Sequence, residues 1–186
     1  TAVIVTLQPP AEAAEFAKLA DTTYRDVNIA LANEFSRYAD RIGVDITEVI
    51  AAANSQPYSH IHQPGLGVGG HCIPVYPHFL LDRAPELELV ALSRQVNDGQ
   101  VDNAIGSIEA ALGGLDGAGV LVLGLTYRDG VKELAYSRAL PLIERCWATK
   151  WFTLVQVCVV TIMSFWCLRT KLDWFAVKAA GMAPID

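Results

Sequence analysis

At 186 residues and a net charge of −6, from 14 basic and 20 acidic residues, the chain has room for one domain or one and a half. It carries no basic run of the kind that binds nucleic acid. Four cysteines, Cys72, Cys146, Cys158 and Cys167, form no CxxC pair and follow no recognisable secretory signal, which points to a reducing, cytoplasmic setting rather than a disulfide scaffold.

In chain order, residues 1–7 are a short β-rich run broken by Pro9 and Pro10. From Ala11 the pattern becomes helical. Phe16, Leu19, Thr23, Val27, Leu31, Phe35, Tyr38 and Ile42 recur at steps of three and four, which predicts a long amphipathic helix closed by Gly43. Asp45 then offers an N-cap and Glu48 a capping-box partner for a helix through Ala53. A loop rich in Gly, Pro and His follows. Helical pattern resumes near Phe79 and again over 85–112, where Gly113 and Gly114 end it. The apolar run 120–123, ending in Gly124, reads as a buried first strand of an α/β unit, with a helix over 134–146 after it. Residues 151–168 carry no charge for eighteen positions, roughly 27 Å of helix, so a membrane span and a buried apolar segment both fit them.

The loop GLGVGGHC, residues 65–72, holds the chemistry-bearing residue of greatest interest. Four glycines in six positions permit positive φ and a close backbone approach to a ligand. They deliver Cys72 to a point where Pro74 favours the start of a helix, and a thiol at a helix N-terminus is stabilised as the thiolate. The arrangement suggests a nucleophile; a buried cysteine beside a flexible loop is the plainer alternative.

Three stretches, KLADTTYRDVNIALANE (18–34), GVDITEVIAAAN (43–54) and IHQPGLGVGGHCIP (61–74), together resemble the central domain of the NAD-dependent nucleotide-sugar 6-dehydrogenases, in particular those acting on UDP-N-acetylmannosamine and UDP-glucose. VLVLGLTYRDGVKELAYSRALPLI (120–143) resembles the start of that family's UDP-binding domain. The resemblance implies a mainly α fold, in which a helical central or dimerisation domain (1–112) precedes a truncated α/β Rossmann-like unit (113–146) and an unmatched hydrophobic tail (147–186). It implies NAD as cofactor, a UDP-sugar as substrate and a homodimer through the long helix. The family reaction oxidises the sugar C6 alcohol to a carboxylate through a cysteine thiohemiacetal and thioester, which divides one difficult conversion into easier ones.

By the same resemblance Cys72 is the nucleophile and Lys18 stabilises the developing oxyanion, a solvated surface lysine being the alternative. Thr22 stands at a family asparagine position. Gly65, Gly67, Gly69, Gly70, His62 and Arg128 stand where the family binds substrate, and no metal is implied. Several positions depart from the pattern. Tyr76 replaces an aspartate that activates water for thioester hydrolysis, and a phenol with a pKa of about 10 is a poor base at neutral pH. Tyr58 stands at an arginine position, and Ala135-Tyr136-Ser137-Arg138 replaces Arg-Glu-Ser-Pro. The chain opens on Thr1 and shows no Rossmann fingerprint, in which a strand leads through GxGxxG into a helix, to hold NAD. These features give the expectation of a partial or degenerate enzyme, inactive by itself, with its reading frame lost near residue 146 and the N-terminal Rossmann domain absent.

Three other readings stay open. His60, His62, His71, Cys72 and His78 lie within nineteen positions, and His with thiolate suits zinc, although the spacing fits no standard finger. The long helix also fits a dimerisation module without catalysis, and 151–168 fits an anchor for a soluble domain.

Overall fold

A computed structural model describes residues 10–115, 120 and 122–148. The β-rich run at 1–7 and the uncharged run at 151–168 lie outside the described residues.

Helix α1 (Ala11–Ile42) is the axis of the fold, and it closes as its sequence predicts, on Gly43 at φ 73° with its N–H on the Ala39 and Asp40 carbonyls. Helix α2 (Ile46–Ala53) starts on Asp45, whose carboxylate accepts the Thr47 N–H at 2.7 Å. Helix α3 (Tyr76–Arg83) follows the glycine loop with Pro77 in its first turn. The single helix expected over 85–112 is two, α4 (Glu88–Asp98) and α5 (Gln100–Leu112), divided at Gly99. The last helix, α6 (Ala139–Ala148), begins later than expected, because residues 134–138 form a turn with Tyr136 at φ 51°. α1 packs against α2, α3 and α4, and α5 packs against α6.

No strand forms among the described residues. Val120 and Val122 are nevertheless buried, packed with Val101 and Ile108 of α5 and Leu142 and Cys146 of α6 in the apolar core. The helical architecture thus agrees with expectation, while residues 120, 122 and 123, the described part of the run expected as a strand, are not in one.

Most of the apolar stripe of α1 lies on its outer side. Thr23 is buried and Leu19 and Val27 are half-buried, but Phe16 (60% exposed), Leu31, Phe35, Tyr38 (56% exposed) and Ile42 face outward. The face that α1 turns inward holds Thr22, Asp26, Ala30 and Asn33 instead. Hydrogen bonds, described below, make that polar burial affordable.

Candidate active site

Three asparagines seat the segment leading to the glycine loop. Asn28 of α1 donates to the His60 carbonyl at 2.7 Å and accepts the His62 N–H at 2.9 Å. Asn54, just past α2, does the same for both backbone groups of Ile61, each at 2.9 Å. Asn33 of α1 accepts the Gly65 N–H at 2.8 Å. An irregular segment has no ladder to satisfy its backbone, and these side chains supply the missing partners.

The glycines do allow a close approach, but its object is the chain itself. A Cβ on Gly67, at φ 113°, would stand 2.6 Å from the Asn97 carbonyl oxygen and 3.3 Å from Arg138 Nε. On Gly69 it would stand 2.5 Å from Tyr127 Cβ and 3.0 Å from the Tyr136 carbonyl. Gly70, at φ 91°, lies under the Tyr127 ring and donates its N–H to the Ala135 carbonyl at 2.8 Å. Gly65 has open space around it. Residues 127–138 therefore close over the loop, which explains three of the four glycines without any ligand.

Cys72 is a half-buried free thiol. It does not occupy the first turn of a helix, as Pro74 suggested. Its carbonyl accepts the N–H groups of Val75 (3.1 Å) and Tyr76 (2.9 Å), so the cysteine sits one turn ahead of α3 and its backbone, rather than its sulfur, takes up the end of that helix.

That turn places Tyr76 against α1. The Lys18 ammonium stands 5.9 Å from the Tyr76 ring centroid, and the ring stacks on Phe79 at 5.7 Å. Lys18 is half-exposed and pairs with Asp21 at 3.3 Å, so its charge remains open to solvent. Lys18 and Tyr76 are thus brought together. Thr22 is not available in the same way: it is fully buried, and its hydroxyl lies 2.9 Å from the Lys18 carbonyl and 3.0 Å from that of Leu19, within its own helix.

His62 packs edge-on to Tyr24, and its pKa lies below the ordinary 6.5 because burial disfavours the imidazolium and Arg25 repels it. Its Nε2 is buried without a hydrogen-bond partner. Arg128 is exposed, over the Tyr127 ring at 5.9 Å. Tyr58 is 92% exposed and carries no part of the site. His71 Nε2 meets Glu133 Oε2 at 3.2 Å across the loop contact, a bond that, with the Ala135 N–H, lowers the Glu133 pKa. Among the described residues no group of three or more His, Cys, Asp or Glu is gathered that could hold a metal ion.

Beneath the loop lies a polar network that sequence reasoning missed. Asp26, with no exposed surface, accepts Arg94 Nη1 at 2.5 Å and Asn97 Nδ2 at 2.9 Å. Asn97 Oδ1 accepts Asn33 Nδ2 at 3.1 Å, and Arg94 Nη2 reaches Asp98 at 2.6 Å. Arg138 from the closing segment donates to the Asp98 carbonyl at 2.7 Å. Burial raises the Asp26 pKa, with Arg94 and Asn97 opposing it. Asp26 and Asn33 stand at i and i+7 on α1, a helical spacing of polar residues that sequence alone reads as a solvated face.

Known proteins bear on this arrangement. The UDP-N-acetyl-D-mannosamine dehydrogenase of Pyrococcus horikoshii is 42% identical over 139 residues, 72% of this chain and 33% of the relative. The NDP-N-acetyl-D-galactosaminuronic acid dehydrogenase of Ralstonia nicotianae is 39% identical over 135 residues, 72% of this chain and 32% of its own length. The solved structure of the UDP-D-ManNAc dehydrogenase from Pyrococcus horikoshii superposes with a TM-score of 0.69 at 39% identity, over 75% of this chain and 35% of that one. The chain spans about a third of the length of the curated relatives it matches. Residues 12–99 match the central domain of the UDP-glucose/GDP-mannose dehydrogenase family, and through that domain the chain belongs to this family of dehydrogenases.

Proposed function

We propose that the chain supplies the thiol-bearing part of an NAD-dependent nucleotide-sugar 6-dehydrogenase, oxidising the C6 alcohol of a UDP-sugar to the carboxylate. Cys72 is the nucleophile in this reading. Its thiolate adds to the C6 aldehyde, forming a C–S bond and an oxyanion. NAD⁺, held outside these residues, would be the hydride acceptor that takes the thiohemiacetal to the thioester; water then cleaves the C–S bond, releasing the carboxylate and returning the thiol. Lys18 is the cation for the oxyanion. The observation that carries the proposal is the contact between Lys18 and Tyr76, on the turn that the Cys72 carbonyl closes.

Tyr76 occupies the position from which water would be activated, and a phenol there slows hydrolysis by about 10²–10⁴. Thr22 is a supporting residue of the helix rather than a donor to the oxyanion. Gly65, with open space, His62 and Arg128 are the substrate contacts in this reading, with Gly67, Gly69 and Gly70 shaping the loop. The described residues do not fit a dinucleotide cradle. The Gly65 and Gly70 N–H groups already serve Asn33 and Ala135, and no strand feeds a helix through a glycine turn among the described residues. No step through NAD is therefore assigned to them.

The proposed organisation is a helical central domain over 1–112, the beginning of a Rossmann-like UDP-binding unit over 113–146, and a tail over 147–186, in a cytoplasmic enzyme. Among the described residues no helix is long and apolar enough to cross a membrane. A homodimer through α1 would cover its outward stripe. The test is to join the chain to the dinucleotide-binding domain of a family relative and follow NAD⁺ reduction with UDP-N-acetylmannosamine or UDP-glucose. Tyr76→Asp is expected to raise the rate at least tenfold and Cys72→Ala to abolish it; equal rates with and without Cys72 would overturn the assignment.

A further inference from the structure

The orientation of each amide in the buried network is fixed by the next. Asp26 offers only acceptors to Asn97, its backbone carbonyl and its carboxylate, each 2.9 Å from Asn97 Nδ2. The Asn97 amide must therefore turn its NH₂ toward Asp26 and its oxygen toward Asn33. Asn33 must in turn direct its NH₂ to that oxygen, which leaves its own oxygen facing the loop, where it takes the Gly65 N–H. Arg94 neutralises Asp26 at the far end. Asp26, Asn33, Arg94 and Asn97 are all at most 4% exposed, so water does not compete for these bonds.

We propose that Asn33 is a positioning residue for the Cys72 loop, its amide held in one sense by the Asp26–Asn97 relay so that it fixes the register of Gly65 on α1. The assignment rests on Cys72 as the working thiol of the proposed function, but its structural core does not need turnover. Asn28 and Asn54 seat His60, Ile61 and His62 independently of the relay, which supplies an internal control. A Cβ added at Gly65 would meet no atom within 4 Å, and the Asn33 oxygen at 2.8 Å is the partner that holds the Gly65 N–H.

The experiment measures amide hydrogen exchange at Gly65, Ile61 and His62 in the full 186-residue chain, together with the alkylation rate of Cys72 by iodoacetamide, resolved by peptide mass. In Asn33→Leu the Gly65 amide is expected to exchange roughly tenfold faster, consistent with losing one part-buried hydrogen bond, while Ile61 and His62 stay within about twofold and Cys72 alkylation changes by more than threefold. Asn97→Leu, which frees the Asn33 amide to turn, is likewise expected to lose Gly65 protection while Ile61 and His62 keep theirs. Should the leucine variants fail to fold, Asn33→Ser, too short to reach Gly65, reads the same local loss. Unchanged exchange at Gly65 in either leucine variant, or equal loss at all three amides, would overturn the positioning role. A Gly65 response with unaltered Cys72 alkylation would overturn its link to the thiol, independently of whether UDP-sugar is ever oxidised.

Discussion

The Lys18 ammonium of α1 lies 5.9 Å from the centroid of the Tyr76 ring, so the first residue of α3 faces the cation that the oxyanion would need. The ring also stacks on Phe79 at an interplanar angle of 28°. Removing it in Tyr76→Ala gives up an aromatic pair and a part-exposed cation–π contact, about 1–2 kcal/mol together. Lys18→Met keeps the stack and is expected to cost less than about 1 kcal/mol. Urea unfolding of the two variants reads the difference.

The glycines of the loop are expected to separate by their surroundings. Gly65→Ala meets open space without a positive φ, and its stability should stay within about 0.5 kcal/mol of the parent. Gly67→Ala places a Cβ 2.6 Å from the Asn97 carbonyl at φ 113°, and should cost about 2–5 kcal/mol. Equal midpoints in denaturant would contradict the close contact with the buried network.

His62 gives stability a pH dependence of known sign. Its folded pKa lies below 6.5, through burial first and Arg25 second. Between that lowered value and 6.5 the unfolded chain binds more protons, so the contribution is fully present above 6.5 and is lost as pH falls through the window. The stability difference between the parent and His62→Gln, measured by denaturant titration from pH 7.5 to 5, should shrink or reverse toward low pH. A pH-independent difference would contradict a buried neutral imidazole.

The outward stripe of α1 should mediate self-association. Leu31, Phe35, Tyr38 and Ile42 follow one another at helical spacing, all more than a third exposed. Sedimentation of the parent at tens of micromolar is expected to give a dimer, and Leu31→Asp with Phe35→Asp a monomer. A monomeric parent would remove α1 as the interface.

Much of this was legible in the sequence, for reasons that also mark where reading failed. Gly43 and Asp45 acted on their local backbone alone, so their capping roles followed from residue type. The loop's glycines signalled tight approach, but composition did not say whether a ligand or Tyr127 would arrive. Asp26, Asn33, Arg94 and Asn97 escaped notice because charged and amide residues are ordinarily solvated, and only their meeting across α1 and α4 makes them a core. The apolar stripe of α1 is legible as a stripe, but the periodicity of a helix does not say which side of the fold it faces, and most of it faces outward. Gly99 was passed over because one glycine in a helical pattern is often tolerated.

The proposal that Cys72 attacks the sugar's C6 aldehyde is tested most directly by protection of that thiol. The 186-residue chain is treated with iodoacetamide alone, with the 6-aldehyde of UDP-N-acetylmannosamine, and with the parent alcohol, and modification of Cys72 is followed by peptide mass. The account predicts that the aldehyde slows Cys72 alkylation at least tenfold, that the alcohol slows it far less, and that Lys18→Met weakens the aldehyde's effect. Alkylation of Cys72 at one rate in all three conditions would contradict it.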